Sequence, residues 1–167
     1  MAIKRNRRQS PRLLRMSETR SDTAGATCWF CDDDMRTDLP PTGWLYDDGI
    51  WRAGHAPVGY AIAGSVVLEA HRHVLDQADM TGEEAASLVG VTGRLVTAIK
   101  QATGCDRVYQ WATMDAFPHF HLWLVPWSSS GELRGPRYLV ASVGTDAAPT
   151  DPDVVGQTAE AIRAALT

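Results

Sequence analysis

The sequence predicts an α+β domain with an antiparallel sheet of about five strands, one long helix and a C-terminal helix. Three observations support this fold class. Short runs rich in β-branched and aromatic residues are separated by Gly, Pro and Asp, as in strands joined by turns. The stretch between Thr81 and Gly104 has apolar residues at helical spacing. A second amphipathic stretch follows Asp151.

The first hairpin is predicted from the turn sequence. Residues 44–46 form one short strand and 50–55 the returning strand, with Asp-Asp-Gly at 47–49 between them. Asp tolerates the left-handed backbone of such a turn, and Gly adopts it freely. After the break at Pro57 and Gly59, residues 65–69 form the third strand.

The long helix has recognisable ends. Thr81 and Glu84 have the spacing of a capping box, and Gly104 suits the position that closes a helix. Residues 105–111 then form the fourth strand, and 119–126 the fifth.

The C-terminal part is less regular. Residues 127–149 are predicted to be irregular, with 138–140 as a possible short strand. The pair Asp151-Pro152 is typical of a helix start, so a final helix is expected after it.

Size and charge limit the class of protein. The chain has 167 residues, of which 44% are hydrophobic and 22% charged, with a formal net charge of −4. This suits one domain, at 27–127, with a basic tail at 1–26 and an extension at 128–167. The weakly acidic whole gives no indication of a general polyanion binder.

The tail holds seven basic residues among its first twenty positions and few large apolar ones. Because it cannot offset its ordering entropy by burial, we expect it to be disordered. A nucleic-acid-binding arm is the alternative to a solvated tail. No apolar run suits a membrane span or a signal peptide, so the expectation is a cytoplasmic protein.

The fifth strand carries the most specific motif. Side chains alternate between faces along a strand, so His119, His121 and Trp123 are expected to share one face. Phe120, Leu122 and Leu124 would then point into the core. On spacing alone, a polar sheet face without chemistry explains the two histidines equally well.

Four segments in order make the chain resemble the histidine-triad superfamily, whose strand motif is His-x-His-x-His. They are the motif at 119–126, the hairpin at 44–51, the stretch 67–74 that ends in Arg-His-Val, and the helix after Thr81. The resemblance covers residues 28 to about 127. It implies the histidine-triad fold, a homodimer, and a nucleotide or nucleotide-conjugate substrate for a hydrolase or nucleotidyl transferase.

In such proteins the middle histidine attacks the α-phosphate and forms a nucleotidyl-histidine. Carried over, His121 is the nucleophile, because neutral imidazole is both nucleophilic near pH 7 and displaceable by water. His119 supports it, either electrostatically or as a metal ligand.

The sequence departs from this family pattern at two positions, both of which we place at the substrate site. Trp123 replaces the third histidine; its indole can donate a hydrogen bond to phosphate or stack on a base, but it cannot relay a proton. Asp115 lies where many relatives have a phosphate-binding stretch, and its carboxylate would repel phosphate unless a metal or an arginine intervened.

Cys28 and Cys31 form a C-x-x-C pair, which in a reducing compartment indicates a metal or redox site more than a disulfide. Two free cysteines in a loop are the alternative. Bacterial relatives with such a pair imply a structural zinc bound by Cys28, Cys31, His73 and His119. His71 competes with His73 for this role.

Two classes of function follow. The first is an enzyme acting through covalent His121. The alternative is a catalytically impaired, zinc-stabilised protein that binds nucleotides or a protein partner, with the basic tail as a further contact.

Overall fold

The computed structural model describes residues 28–32, 36, 39–144, 147 and 150–167, and the predicted disordered tail lies outside these residues. The sheet has five strands in the order β1-β2-β3-β5-β4, and every neighbouring pair is antiparallel. The strands are β1 (Trp44–Asp47), β2 (Trp51–His55), β3 (Val66–Ala70), β4 (Arg107–Trp111) and β5 (His121–Trp127). The helices are α1 (Gly82–Thr103), α2 (Pro136–Ser142) and α3 (Pro152–Leu166). This confirms the predicted α+β class.

One face of the sheet is covered by α1 and α3, which also pack against each other. The main core lies here and contains Phe120 and Leu124 of the motif region, together with Leu95 of α1 and Ile162 of α3. The helix α1 begins as predicted. The Thr81 hydroxyl accepts from the Glu84 amide at 3.2 Å, and the Glu84 carboxylate accepts from the Thr81 amide at 2.7 Å.

The opposite face is covered by two separate segments. Described residues of the N-terminal segment, among them Phe30, Arg36 and Pro40, lie against β2 and β3, where Pro40 occupies the space above Gly54. The helix α2 and residues 60–62 lie against β4 and β5 and form a smaller apolar cluster there. The motif residues His121 and Trp123 lie on this face, between the two coverings.

Two local predictions were wrong. Residues 138–140 are part of helix α2, because Pro136 at its first turn has a backbone angle suited to a helix and no amide to leave unpaired. The fifth strand begins at His121, not at 119, because the His119 and Phe120 amides donate to Phe117 and Val74 in a turn. Among the described residues, we find no helix whose length and hydropathy suit a membrane span.

Candidate active site and metal centre

His121 is held in one tautomer by the backbone. Its Nδ1 lies 2.8 Å from the carbonyl oxygen of His119. Because a carbonyl can only accept, Nδ1 carries the proton and Nε2 is left with a lone pair. The side chain is only 5% exposed, and Glu69 of β3 lies opposite it across the sheet. The contact with the carbonyl therefore orients the ring so that Nε2 is the nitrogen available for attack.

His119 is oriented by a second backbone carbonyl. Its Nε2 lies 2.7 Å from the oxygen of Ala70, so Nε2 carries the proton. Its Nδ1 faces the Sγ atoms of Cys28 and Cys31, at 3.5 and 3.4 Å. Burial lowers the pKa of His119, which keeps the ring neutral. This is the tautomer that a metal ligand requires.

Four potential ligand atoms converge at this point. The Sγ atoms of Cys28 and Cys31 and the Nδ1 atoms of His73 and His119 all lie within 4.8 Å of one another. Around a tetrahedral zinc ion, bond lengths near 2.3 and 2.05 Å place sulfur and nitrogen about 3.6 Å apart. Three of the four S···N distances are 3.4, 3.5 and 3.6 Å, so their spacing fits such an ion.

His71, the competing candidate, lies elsewhere. Its Nε2 is 2.9 Å from the Asp47 carboxylate. His73 is therefore the histidine of the Arg-His-Val segment that joins the cysteines. Partial burial and the neighbouring Cys28 thiol raise the pKa of Cys31 to about 11, so any metal that binds must displace a proton.

The C-x-x-C segment also delivers an aromatic ring to the motif. Phe30 stacks on His119 and on His121, with a centroid distance of 5.0 Å in both cases. Because Cys28 and Cys31 flank Phe30, whatever fixes the two thiols also fixes this ring. Two contacts thus connect the candidate metal centre to His121. One is the hydrogen bond to the His119 carbonyl, and the other is the stacking of Phe30 on the His121 ring.

Trp123 lies two residues beyond His121 on the same face of β5. It pairs across the sheet with Val67 and Trp111 and packs against Tyr60 at a centroid distance of 6.0 Å. The indole is partly buried in the smaller apolar cluster. The described contacts of Trp123 are therefore mainly packing contacts with apolar and aromatic residues.

Asp115 is exposed in the loop before the motif. A hydrogen bond from Thr113 is the main cause that lowers the pKa of Asp115, and the nearby His121 makes a smaller contribution. Asp115 is therefore within electrostatic reach of His121. The same loop holds Met114 at a φ of 54°, which is unusual for a residue other than glycine.

A buried ionic cluster beside His121 was missed in the sequence. Glu69 is 1% exposed, and its carboxylate accepts from both terminal nitrogens of Arg36 at 2.5 and 2.9 Å and from Nε of Arg52. Two guanidinium groups face one carboxylate, so the cluster carries a net positive charge. A glutamate within the run Val66–Ala70 gave no signal of this role, because Arg36 and Arg52 come from distant segments.

A small cleft adjoins this cluster. Its walls include Trp29, Phe30, Arg36, Trp44 and Glu69, and its free volume is about 50 Å³. His55 also borders it, but both ring nitrogens of His55 are bonded to backbone, at Ala56 and Gly64. Both nitrogens of His55 are thus used in holding the local backbone, which is a structural role.

No protein-family model and no curated protein matches this chain, so the informative comparisons are with solved structures. A histidine triad protein from Bradyrhizobium japonicum has a TM-score of 0.65 at 17% identity, over 84% of this chain and 100% of that one. A zinc-bound histidine triad family protein from Mycobacterium smegmatis has a TM-score of 0.59 at 21% identity, over 84% and 93% of the two chains.

A uridylyltransferase structure is also similar, with a TM-score of 0.56 at 20% identity. The match covers 85% of this chain but only 46% of that one, so the likeness extends over about half of the larger protein. At these identities the comparisons establish the fold. The resemblance found in the sequence motifs is thereby confirmed in three dimensions, and the chain has the fold of the histidine-triad proteins.

Proposed function

We propose that this chain is a nucleotide-processing histidine-triad protein that acts on a phosphate ester or anhydride through a nucleotidyl-histidine at His121. The observation that carries the proposal is the 2.8 Å contact between Nδ1 of His121 and the His119 carbonyl. It leaves Nε2 of a neutral, preoriented imidazole as the attacking atom. The likeness to histidine triad proteins and to a uridylyltransferase supports the substrate class.

The proposed reaction has two displacements at phosphorus. In the first, the Nε2 lone pair forms a bond to the α-phosphorus, and the bond from phosphorus to the leaving-group oxygen breaks with its electron pair. In the second, water attacks the same phosphorus, the P–N bond breaks with its electron pair returning to Nε2, and the attacking water releases a proton to solvent as the nucleotide product forms. Throughout, the His119 carbonyl accepts a hydrogen bond from Nδ1–H of His121 and so stabilises positive charge on the ring.

Trp123 limits the leaving groups that this site can expel. Indole can donate a hydrogen bond to a phosphate oxygen but does not give up its proton to a departing alkoxide or amine. We therefore expect substrates whose leaving group is already a weak base, such as a phosphate or pyrophosphate. Substrates with amine or simple alcohol leaving groups should react slowly.

We also propose that zinc occupies the Cys28, Cys31, His73 and His119 cluster in a structural role. Four protein ligands complete a tetrahedral shell and leave no position for substrate. The ion would fix the N-terminal segment against the sheet. It would hold Phe30 on the two imidazoles and the His119 backbone beneath His121, while taking no part in bond making.

A second candidate is favoured by Trp123 and by the small cleft. In this alternative the chain keeps the fold and the zinc but binds nucleotides, or a protein partner, without turnover. The substitution His121→Ala separates the two. For the enzyme, it should abolish nucleotidyl transfer from a nucleoside triphosphate or sugar nucleotide while calorimetric binding changes by less than about tenfold. Failure of the wild type to transfer any nucleotide would support the binding protein.

A further inference from the structure

Arg36 lies in the aromatic cleft that borders Glu69, the residue paired with His121 between strands β3 and β5. Its guanidinium lies 4.9 Å from the ring centroid of Trp29, 5.5 Å from that of Phe30 and 4.6 Å from that of Trp44. The side chain is 6% exposed. A planar, delocalised cation thus fills a slot walled by three aromatic rings, which is also the kind of slot in which a planar nucleobase stacks.

The space that remains in the cleft is too small for a nucleotide. Ligand sites of that class measure roughly 300 Å³ or more, whereas the free volume here is about 50 Å³, room for one or two water molecules. A base can enter beside His121 only if a wall residue moves. Trp44 is in strand β1 and Phe30 stacks on both imidazoles, so neither is free to leave.

Arg36 can leave the cleft only by giving up its two hydrogen bonds to Glu69, but Glu69 is not then left without a partner. Without it, Glu69 keeps its hydrogen bond to Arg52, which is itself held by the Phe30 carbonyl at 2.8 Å. Within the described part of the chain, Nε of Arg36 is buried and has no hydrogen-bond partner. A buried donor without a partner destabilises the closed arrangement, which offsets part of the cost of opening.

We propose that Arg36 is a gatekeeper of substrate specificity: its guanidinium occupies the nucleobase slot beside His121, and a base binds there only by displacing it. This rests on the proposed function, since it assumes that a nucleotide binds at His121. The observed association constant is then the intrinsic constant multiplied by the fraction of molecules in which Arg36 has left the slot. Ligands with weakly stacking bases are excluded, because they cannot compete with the guanidinium.

The test is calorimetric titration of the zinc-loaded full-length protein with adenosine 5′-monophosphate and uridine 5′-monophosphate. The substitution Arg36→Ala should tighten binding on the order of tenfold, because it removes the competing side chain. The adenosine nucleotide should gain less than the uridine nucleotide, since the purine already competes better by stacking. An arginine that binds phosphate or merely stabilises the segment would give the opposite sign, with weaker binding after its removal.

A second probe reports on the slot directly. Methylguanidinium at millimolar concentration should bind the Arg36→Ala protein, raise its melting temperature and compete with nucleotide, and should do none of these with the wild type. Arg94→Ala is the matched control, because Arg94 lies 4.8 Å from the Tyr46 ring outside the cleft. That substitution should leave nucleotide affinity unchanged.

Unchanged or weaker nucleotide binding by Arg36→Ala would overturn the gatekeeper role and leave the proposed function standing, provided that the wild type binds nucleotide. If neither protein binds either nucleotide while Arg36→Ala binds methylguanidinium, the proposed function fails and the gate fails with it. The two failures are therefore distinguishable.

Discussion

The backbone carbonyl of His119 lies 2.8 Å from Nδ1 of His121, while the ring of His119 faces two cysteine thiols at 3.4 and 3.5 Å. One residue thus joins the candidate metal centre to the candidate nucleophile. Its ring contributes a potential zinc ligand, and its main chain sets the tautomer of the neighbouring imidazole. The predictions below separate these two contributions.

The first prediction concerns the metal. Protein purified without chelator should carry about one zinc per chain, and Cys31→Ala should remove most of it. Loss of a structural ion should lower the melting temperature by roughly 10 °C or more. Elemental analysis and calorimetry measure both quantities. Cys105→Ala, at a cysteine outside the cluster, is the control and should keep its zinc. Full zinc content in Cys31→Ala would exclude Cys31 as a ligand.

The second prediction concerns Trp123→His, which restores the three-histidine motif. Because the indole packs against Tyr60 and across the sheet from Val67 and Trp111, we expect the change to destabilise the fold by about 1–3 kcal/mol and to weaken nucleotide binding. Urea denaturation and titration measure these effects. If Trp123→His instead turned over substrates with poorer leaving groups faster, at unchanged stability, a histidine at position 123 would be able to relay a proton to the leaving group.

The third prediction concerns pH and His55. Burial lowers the pKa of His55 in the folded state, and its Nε2 accepts a hydrogen bond from the Gly64 amide at 2.8 Å. The unfolded chain therefore takes up a proton near pH 6.5 before the folded protein does. As the pH falls below 6.5, this group removes up to about 1.4 kcal/mol of stability per pH unit.

The substitution His55→Asn removes this titration and can keep an acceptor for Gly64 and a donor to Ala56. The wild type should therefore lose its stability advantage over His55→Asn between pH 8 and pH 5.5. Parallel pH dependences of the unfolding free energy in the two proteins would show that His55 does not titrate on unfolding.

The fourth prediction concerns assembly. Among the described strands, β1 and β4 form the two edges of the sheet, and an edge strand such as β4 can pair with that of a second copy. We predict a homodimer in which two sheets become one. Light scattering at micromolar concentration should give twice the 18.2 kDa mass of one chain. A single 18.2 kDa species across that range would contradict the prediction.

Much of the fold could be predicted from the sequence because its signals are local. The capping box at Thr81 and Glu84 and the turn at 47–49 depend on neighbouring residues, and both elements follow in the structure. Helix α2 was missed because its seven residues are short for a helix and 138–140 also suit a strand. The start of the fifth strand was misplaced because a turn at Phe117 delays it.

The site residues also fall into those that local sequence patterns predict and those that they do not. His121 and the two cysteines were predicted from the strand motif and the C-x-x-C pair, and His73 was predicted from the family resemblance. The cluster of Arg36, Arg52 and Glu69 left no such mark, because its members are separated along the chain and join only when the N-terminal segment covers the sheet. Burial of a charge depends on tertiary packing, which spacing alone does not report.

The central claim is that His121 forms a covalent nucleotidyl intermediate, and mass spectrometry of rapidly quenched protein tests it most directly. Zinc-loaded protein mixed briefly with adenosine or uridine triphosphate, each of which has pyrophosphate as its leaving group, should gain the mass of one nucleotidyl group. The adduct should be acid-labile, map to the peptide containing His121, and be absent from His121→Ala. Turnover by the wild type without any adduct, or turnover that survives His121→Ala, would contradict the covalent mechanism.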